Sequence, residues 1–204
     1  VPEIKLTKNE LRAQQNRLSQ LRKYLPTLQL KKAMLQAEVQ EAKQEIARFE
    51  AEFNAQQTQV DRLAPLLSAE TAVDLKQAAV IKTIHKRQEN IAGVDVPYFE
   101  GAEFEPVLYN LLETPAWVDQ TIFELQKLAS AQIKIQVARD KLKALEKELR
   151  EVSIRVNLFE KILIPRAESN IKKIKVFLGD QQLAAVAQAK VAKEKIVERR
   201  CASM

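Results

Sequence analysis

Residues 128–163 read LASAQIKIQVARDKLKALEKELREVSIRVNLFEKIL. Leu128, Ile135, Leu142, Leu149, Val156 and Leu163 stand seven apart, and Ala131, Ala138, Leu145, Val152 and Phe159 occupy the alternate position. Seven residues make nearly two turns of an α-helix, so both sets fall on one narrow apolar stripe. Polar residues flank it. The stretch predicts one strand of a coiled coil, with Leu142, Leu145, Leu149, Val152, Val156 and Phe159 in the seam.

Downstream the rhythm survives but slips by one residue. Ile164, Ala167, Ile171, Ile174 and Leu178 continue the three-four spacing, and Pro165 sits at the slip. A proline lacks the N–H that a helix needs there, so a kink is expected. Beyond Gly179, Leu183, Val186 and Ile196 are interspersed with alanines at 184, 185, 187, 189 and 192, a stripe that can pack only lightly. Residues 197–204 have no heptad partner and are expected to fray.

Upstream, Thr7 or Asn9 can cap a helix start, and Glu10 completes a capping-box pattern with Thr7. Leu11, Leu18, Leu21, Leu25, Leu28, Leu35, Val39, Ala42, Ile46, Phe49, Phe53, Val60 and Leu63 then recur at coiled-coil spacing. Pro26 leaves the phase intact and predicts a bend, not a break. At 1.5 Å per residue this run would extend roughly 85 Å. Between the two runs, NIAGVDVPYFEGAEFEP (90–106) alternates at Val94, Val96 and Phe104, which predicts a β-hairpin over about 89–106 with Gly101 as its turn. Residues 70–82 read as a short helix.

The predicted fold is therefore all-α: a long antiparallel two-helix coiled coil with a short β-hairpin in the connecting region. Its parts are an N-terminal helix over 5–65, a connecting region over 66–118, and a C-terminal helix over 119–198, kinked near Pro165 and paired with the first. Folding back brings two basic segments together. Residues 1–35 carry a net +6 and residues 165–204 a net +5, against −5 for the remainder, so about +11 gathers at one end.

Catalytic constellations are missing from the sequence. Three glycines cannot build a phosphate loop, His85 is the only histidine, and Cys201 is the only cysteine, which predicts a reducing setting and no cofactor or metal. Paired acids such as Glu146 and Glu148 read as the charged flank of a coiled coil. Trp117 reads as an end-of-coil packing residue. No run of 18 apolar residues occurs, which predicts neither a membrane span nor a conventional signal peptide, and the opening Val1 is read as loss of an initiator methionine. KKIK (172–175) and KVAKEKIVERR (190–200) could neutralise phosphates, but the apolar Ile171, Ile174, Val176, Phe177 and Leu178 around them suit a protein cavity better.

KLTKNELRAQQNRLSQLRKYLPTLQLKKAMLQAEVQ (5–40), ENIAGVDVPYFEGAEFE (89–105) and IPRAESNIKKIKVFLGDQQLAAVAQAKVAKEKI (164–196) resemble blocks of the D subunit of V-type/A-type ATPases, of the bacterial V/A kind. The resemblance implies a central rotor shaft: a non-catalytic subunit without cofactor, carrying torque between the hexamer of A and B subunits and the membrane ion-translocating ring. It places Arg12, Arg17, Arg22, Lys23, Arg166, Lys172, Lys173, Lys175, Lys190 and Lys193 on the hexamer side. Val94, Val96, Tyr98, Phe99 and Phe104 fall on the side of the F subunit and the ring-capping stalk subunit. It further implies a cytoplasmic protein, peripheral on the membrane, without membrane insertion and without a nucleic-acid partner. Two other readings fit the heptads alone. A non-rotary coiled-coil scaffold or adaptor leaves the hairpin and basic end without a role, and a nucleic-acid-binding helical hairpin leaves the apolar residues among the lysines without one.

Overall fold

Thr7 starts the first long helix. Its hydroxyl accepts the backbone N–H of Glu10 at 3.3 Å, and its carbonyl accepts that of Leu11 at 3.0 Å. The Glu10 carboxylate accepts instead from Gln14 Nε2, at 2.8 Å. In this computed structural model, residues 4–67, 79–106, 114–115 and 117–202 are described. The elements run α1 (Lys8–Leu67), β1 (Ile81–Ile91), β2 (Val94–Phe104), α2 (Trp117–Leu158), a π turn (Phe159–Leu163) and α3 (Ile164–Ala202). α1 continues through both Pro26 and Pro65. Of the short helix expected over 70–82, residues 70–78 lie outside the described residues, and Ile81 and Lys82 begin β1.

The chain divides into two compact units. The middle unit is Lys31–Glu151, and the terminal unit joins Val1–Leu30 to Val152–Met204. In the middle unit Leu35, Val39, Ala42 and Val60 of α1 are buried, as are Val118, Ile135, Ala138 and Leu145 of α2 and Val96 of β2. Thr121, also buried, spends its hydroxyl on the Trp117 carbonyl at 2.9 Å, so it leaves no polar atom orphaned. The terminal unit buries Val152, Val156, Ala167 and Ile174, and leucines 11, 18, 21, 25 and 28 of α1 are half-buried. Most buried positions keep the heptad spacing; Val137 and Lys141, buried off the seam, line a cleft with Tyr98 and Phe99 of β2.

The flanking charges give the chain direction within each unit. Writing the seam as a and d, the neighbouring e and g positions meet e and g of an antiparallel partner. In the middle unit Lys43 pairs with Glu146 at 3.0 Å and Glu50 with Arg139 at 2.7 Å on the e side. Seven residues forward on one helix match seven back on the other. In the terminal unit Gln29 donates to Glu160, and Arg22 pairs with Glu168 at 2.6 Å. Here seven residues on α1 match eight across from them. The extra residue is taken up in the π turn, where the Ile164 N–H reaches back five residues to the Phe159 carbonyl. This is the physical content of the phase slip. A proline at 165 has no N–H for the Lys161 carbonyl and would crowd it, and the widened turn just before Pro165 accommodates that defect within a continuous helix. After it, Ala167 and Ile174 return to full burial.

The hairpin corrects the sequence reading in two respects, its first strand beginning at Ile81 and not near 89. Its turn is Ala92–Gly93, not Gly101: Ile91 pairs with Val94, and the two loop residues have φ of 51° and 81°. Positive φ at both centres lets the turn follow the strands' own twist. The Asn90 side chain holds it, accepting the Gly93 N–H at 3.0 Å and donating to Asp95 at 2.7 Å. Gly101 lies within β2 opposite His85, next to a register shift between His85 and Lys86. α3 takes in 197–202 of the stretch expected to fray, and 203–204 lie outside the described residues. It stays helical through Ala202, over a stretch rich in alanine and lysine, which are strong helix formers.

Candidate functional site

With no catalytic cluster in the sequence, the candidate functional features are surfaces that a partner could read. In the terminal unit, Arg12, Arg17, Lys23, Arg166, Lys172, Lys173, Lys175, Lys190 and Lys193 are all exposed. Arg22 is exposed too but committed to Glu168. Arg17 and Arg166, far apart in sequence, line one cleft of about 440 Å³ with Lys5. From Asp180 to Arg199 every residue of α3 is exposed, including Leu183 at 71%, Val186 at 67% and Ile196 at 56%. This extension has an apolar stripe, and among the described residues no other helix covers it.

In the middle unit the hairpin is seated by β2. Val96 is fully buried, and Val94, Tyr98, Phe99 and Phe104 are half-buried; Tyr98 and Phe99 line a cleft with Phe49 of α1 and Val137 and Lys141 of α2. β1 is exposed from Lys82 to Gln88. His85 contacts Glu103 at 3.0 Å, and Arg87 pairs with Glu89. Of the six seam residues, Leu145, Val152 and Val156 are buried, and Leu142, Leu149 and Phe159 half-buried.

One constellation escaped the sequence reading. Lys141, only 6% exposed, pairs with Glu45 at 2.9 Å and lies 4.1 Å from the Tyr98 ring centre. Burial works against its charge, but Tyr98 and Glu45 outweigh that and raise its pKa above the ordinary lysine range. Lys134 repeats the arrangement with Phe49, at 4.0 Å, and Glu52, at 3.4 Å. Lys127 does so with Phe123, at 4.0 Å, and Glu124, at 3.3 Å. The three lysines are one heptad apart, each just before a seam residue. That repeat was the available signal, although nothing in it said that β2 would place a tyrosine over the third.

Among the described residues no group of His, Cys, Asp or Glu is placed to hold a metal ion, and no helix is long and apolar enough to cross a membrane.

A family model for the D subunit of ATP synthase matches residues 10–194, which takes in the hairpin and all but the outermost ends of the long helices. The chain belongs to that family. Similar relatives include the V-type ATP synthase D subunit of Chlamydia pneumoniae, 42% identical over 199 residues, covering 97% of this chain and 95% of the relative. Those of Chlamydia muridarum and Chlamydia trachomatis serovar L2 are each 43% identical, covering 97% of this chain and 98% of the relative. As a member of the D-subunit family the chain is a non-catalytic subunit of such an ATPase.

Proposed function

We propose that this chain is the central-stalk rotor shaft of a V/A-type rotary ATPase, carrying torque between the catalytic A/B hexamer and the membrane ion-translocating ring. Family membership supports the reading, and the observation that carries it further is the bare extension of α3. Helical residues that expose Leu183, Val186, Val191, Ile196 and Val197 in water are stabilised only when a surrounding surface covers them. A hexamer interior is such a surface. The lysines and arginines of the same unit face its acidic groups, and the small alanines allow sliding contact without fixed ion pairs.

Closure of successive A/B interfaces pushes on a shaft without threefold symmetry, and ion flow drives the same motion in reverse. The unequal helices of the terminal unit and its π turn supply asymmetry. A packed seam with paired flanks resists untwisting. The F subunit and the ring-capping stalk subunit meet the hairpin-bearing middle unit, and the protein sits on the cytoplasmic face of the membrane through these partners.

Affinity isolation of the full chain from native membranes tests the proposal. Recovery together with A, B and F subunits is expected. Recovery with ribosomal or DNA-associated proteins instead would overturn it.

A further inference from the structure

We propose that the cleft beside the start of α1 is an oxyanion site, taking a phosphate or carboxylate group between Lys5, Arg17 and Arg166. All three line one cleft of about 440 Å³. Among the described residues none of their side chains is in an ion pair or hydrogen bond. The one acid lining the cleft, Glu10, already accepts from Gln14 at 2.8 Å. Three cations thus line the cleft against the single carboxylate of Glu10, and an external anion offsets the excess positive charge.

The heptad flank makes the omission specific. Arg17 stands at the g position, before Leu18. The same flank of the middle unit matches acids with bases, as in Glu45–Lys141 and Glu52–Lys134. Across the cleft from Arg17 the lining side chains are Leu163, Ala167 and the half-buried amide of Asn170, none of them acidic. A few residues away, Arg22 has its carboxylate in Glu168. Two guanidinium groups present paired N–H donors that match the oxygens of phosphate or carboxylate, and Lys5 adds a third charge. The anion comes either from free phosphate or, on the reading of the chain as a hexamer-embedded shaft, from an acidic side chain of a neighbouring protein in that complex.

The test uses the full chain alone, so it does not depend on the rotor reading. Inorganic phosphate and, separately, a hexaglutamate peptide are titrated at constant ionic strength, following the side-chain Nε–H resonances of Arg12, Arg17 and Arg166. Saturable shifts confined to Arg17 and Arg166 are expected. Saturation by phosphate alone assigns the site to free phosphate, and saturation by both ligands assigns it to carboxylates as well. Changing Arg17→Gln and Arg166→Gln together weakens binding by about tenfold or more, whereas Arg150→Gln, at an exposed position of the middle unit, leaves it unchanged. Shifts that fail to saturate, or that are as large at Arg12, overturn the proposal even if the chain is recovered with A and B subunits.

Discussion

In the middle unit, charge pairs on the e side advance seven residues against seven, from Lys43–Glu146 to Glu50–Arg139. In the terminal unit they advance seven against eight, from Gln29–Glu160 to Arg22–Glu168. The two regions follow the same heptad code, and only one carries an extra residue. The comparison teaches that a coiled coil can absorb an insertion when a single π turn takes it up, so that the seam on either side stays in step.

Deletions test this most severely. Removing Lys147, in a stretch with no π turn, throws the downstream seam out of phase. It should cost more than any single core truncation, read as the loss of a cooperative thermal transition. Removing Ile162 together with Pro165→Ala should leave an ordinary α-helix in register and cost about 1 kcal/mol or less by denaturant unfolding. Equal losses for both deletions would sink the insertion argument.

Side-chain truncation comes next. Leu145→Ala, at a fully buried seam position, should destabilise by about 2–5 kcal/mol. Leu183→Ala, 71% exposed in the α3 extension, should change the isolated chain by less than about 0.5 kcal/mol. Urea midpoints compared at equal m-value measure both.

Lys141 distinguishes the middle unit by pH. Its folded pKa is raised, so the stability it contributes is fully present below the ordinary lysine pKa and is lost as pH climbs through the raised value. Lys141→Met should lower stability at neutral pH by about 1–3 kcal/mol, since Glu45 is left half-buried without its partner. Stability curves of parent and variant should converge at alkaline pH. Parallel curves would show that the ion pair contributes nothing beyond packing.

The smallest effect belongs to an exposed pair. Lys43→Glu alone sets two acids face to face with Glu146 and should cost about 0.5 kcal/mol at low salt, and adding Glu146→Lys should restore it. A double-mutant cycle closing to zero coupling would remove this pair from the register code.

Much of the fold was legible because seam burial leaves a period that can be counted. The apolar spacing even located the slip at Leu163 and Ile164. What it could not convey was the cause, since spacing counts residues and says nothing of which carbonyl a given N–H reaches. β1 was read short because KTIHKRQ, exposed throughout, lacks the alternation that half-burial imposes. The hairpin turn was misplaced because alanine is an uncommon occupant of positive φ, although Asn90 three residues before Gly93 was a usable sign. Basic residues of the candidate site were legible as a composition. That Arg22 is neutralised while Arg17 is not depends on a partner 146 residues away, which no local pattern carries.

The solvent-facing length of α3 past Asp180 has a thermodynamic corollary. That stretch is held by backbone propensity without tertiary packing, so its end is the part of α3 that opens most easily. Whatever encloses its last turns suppresses that opening, so that fitting the chain into its complex also rigidifies it.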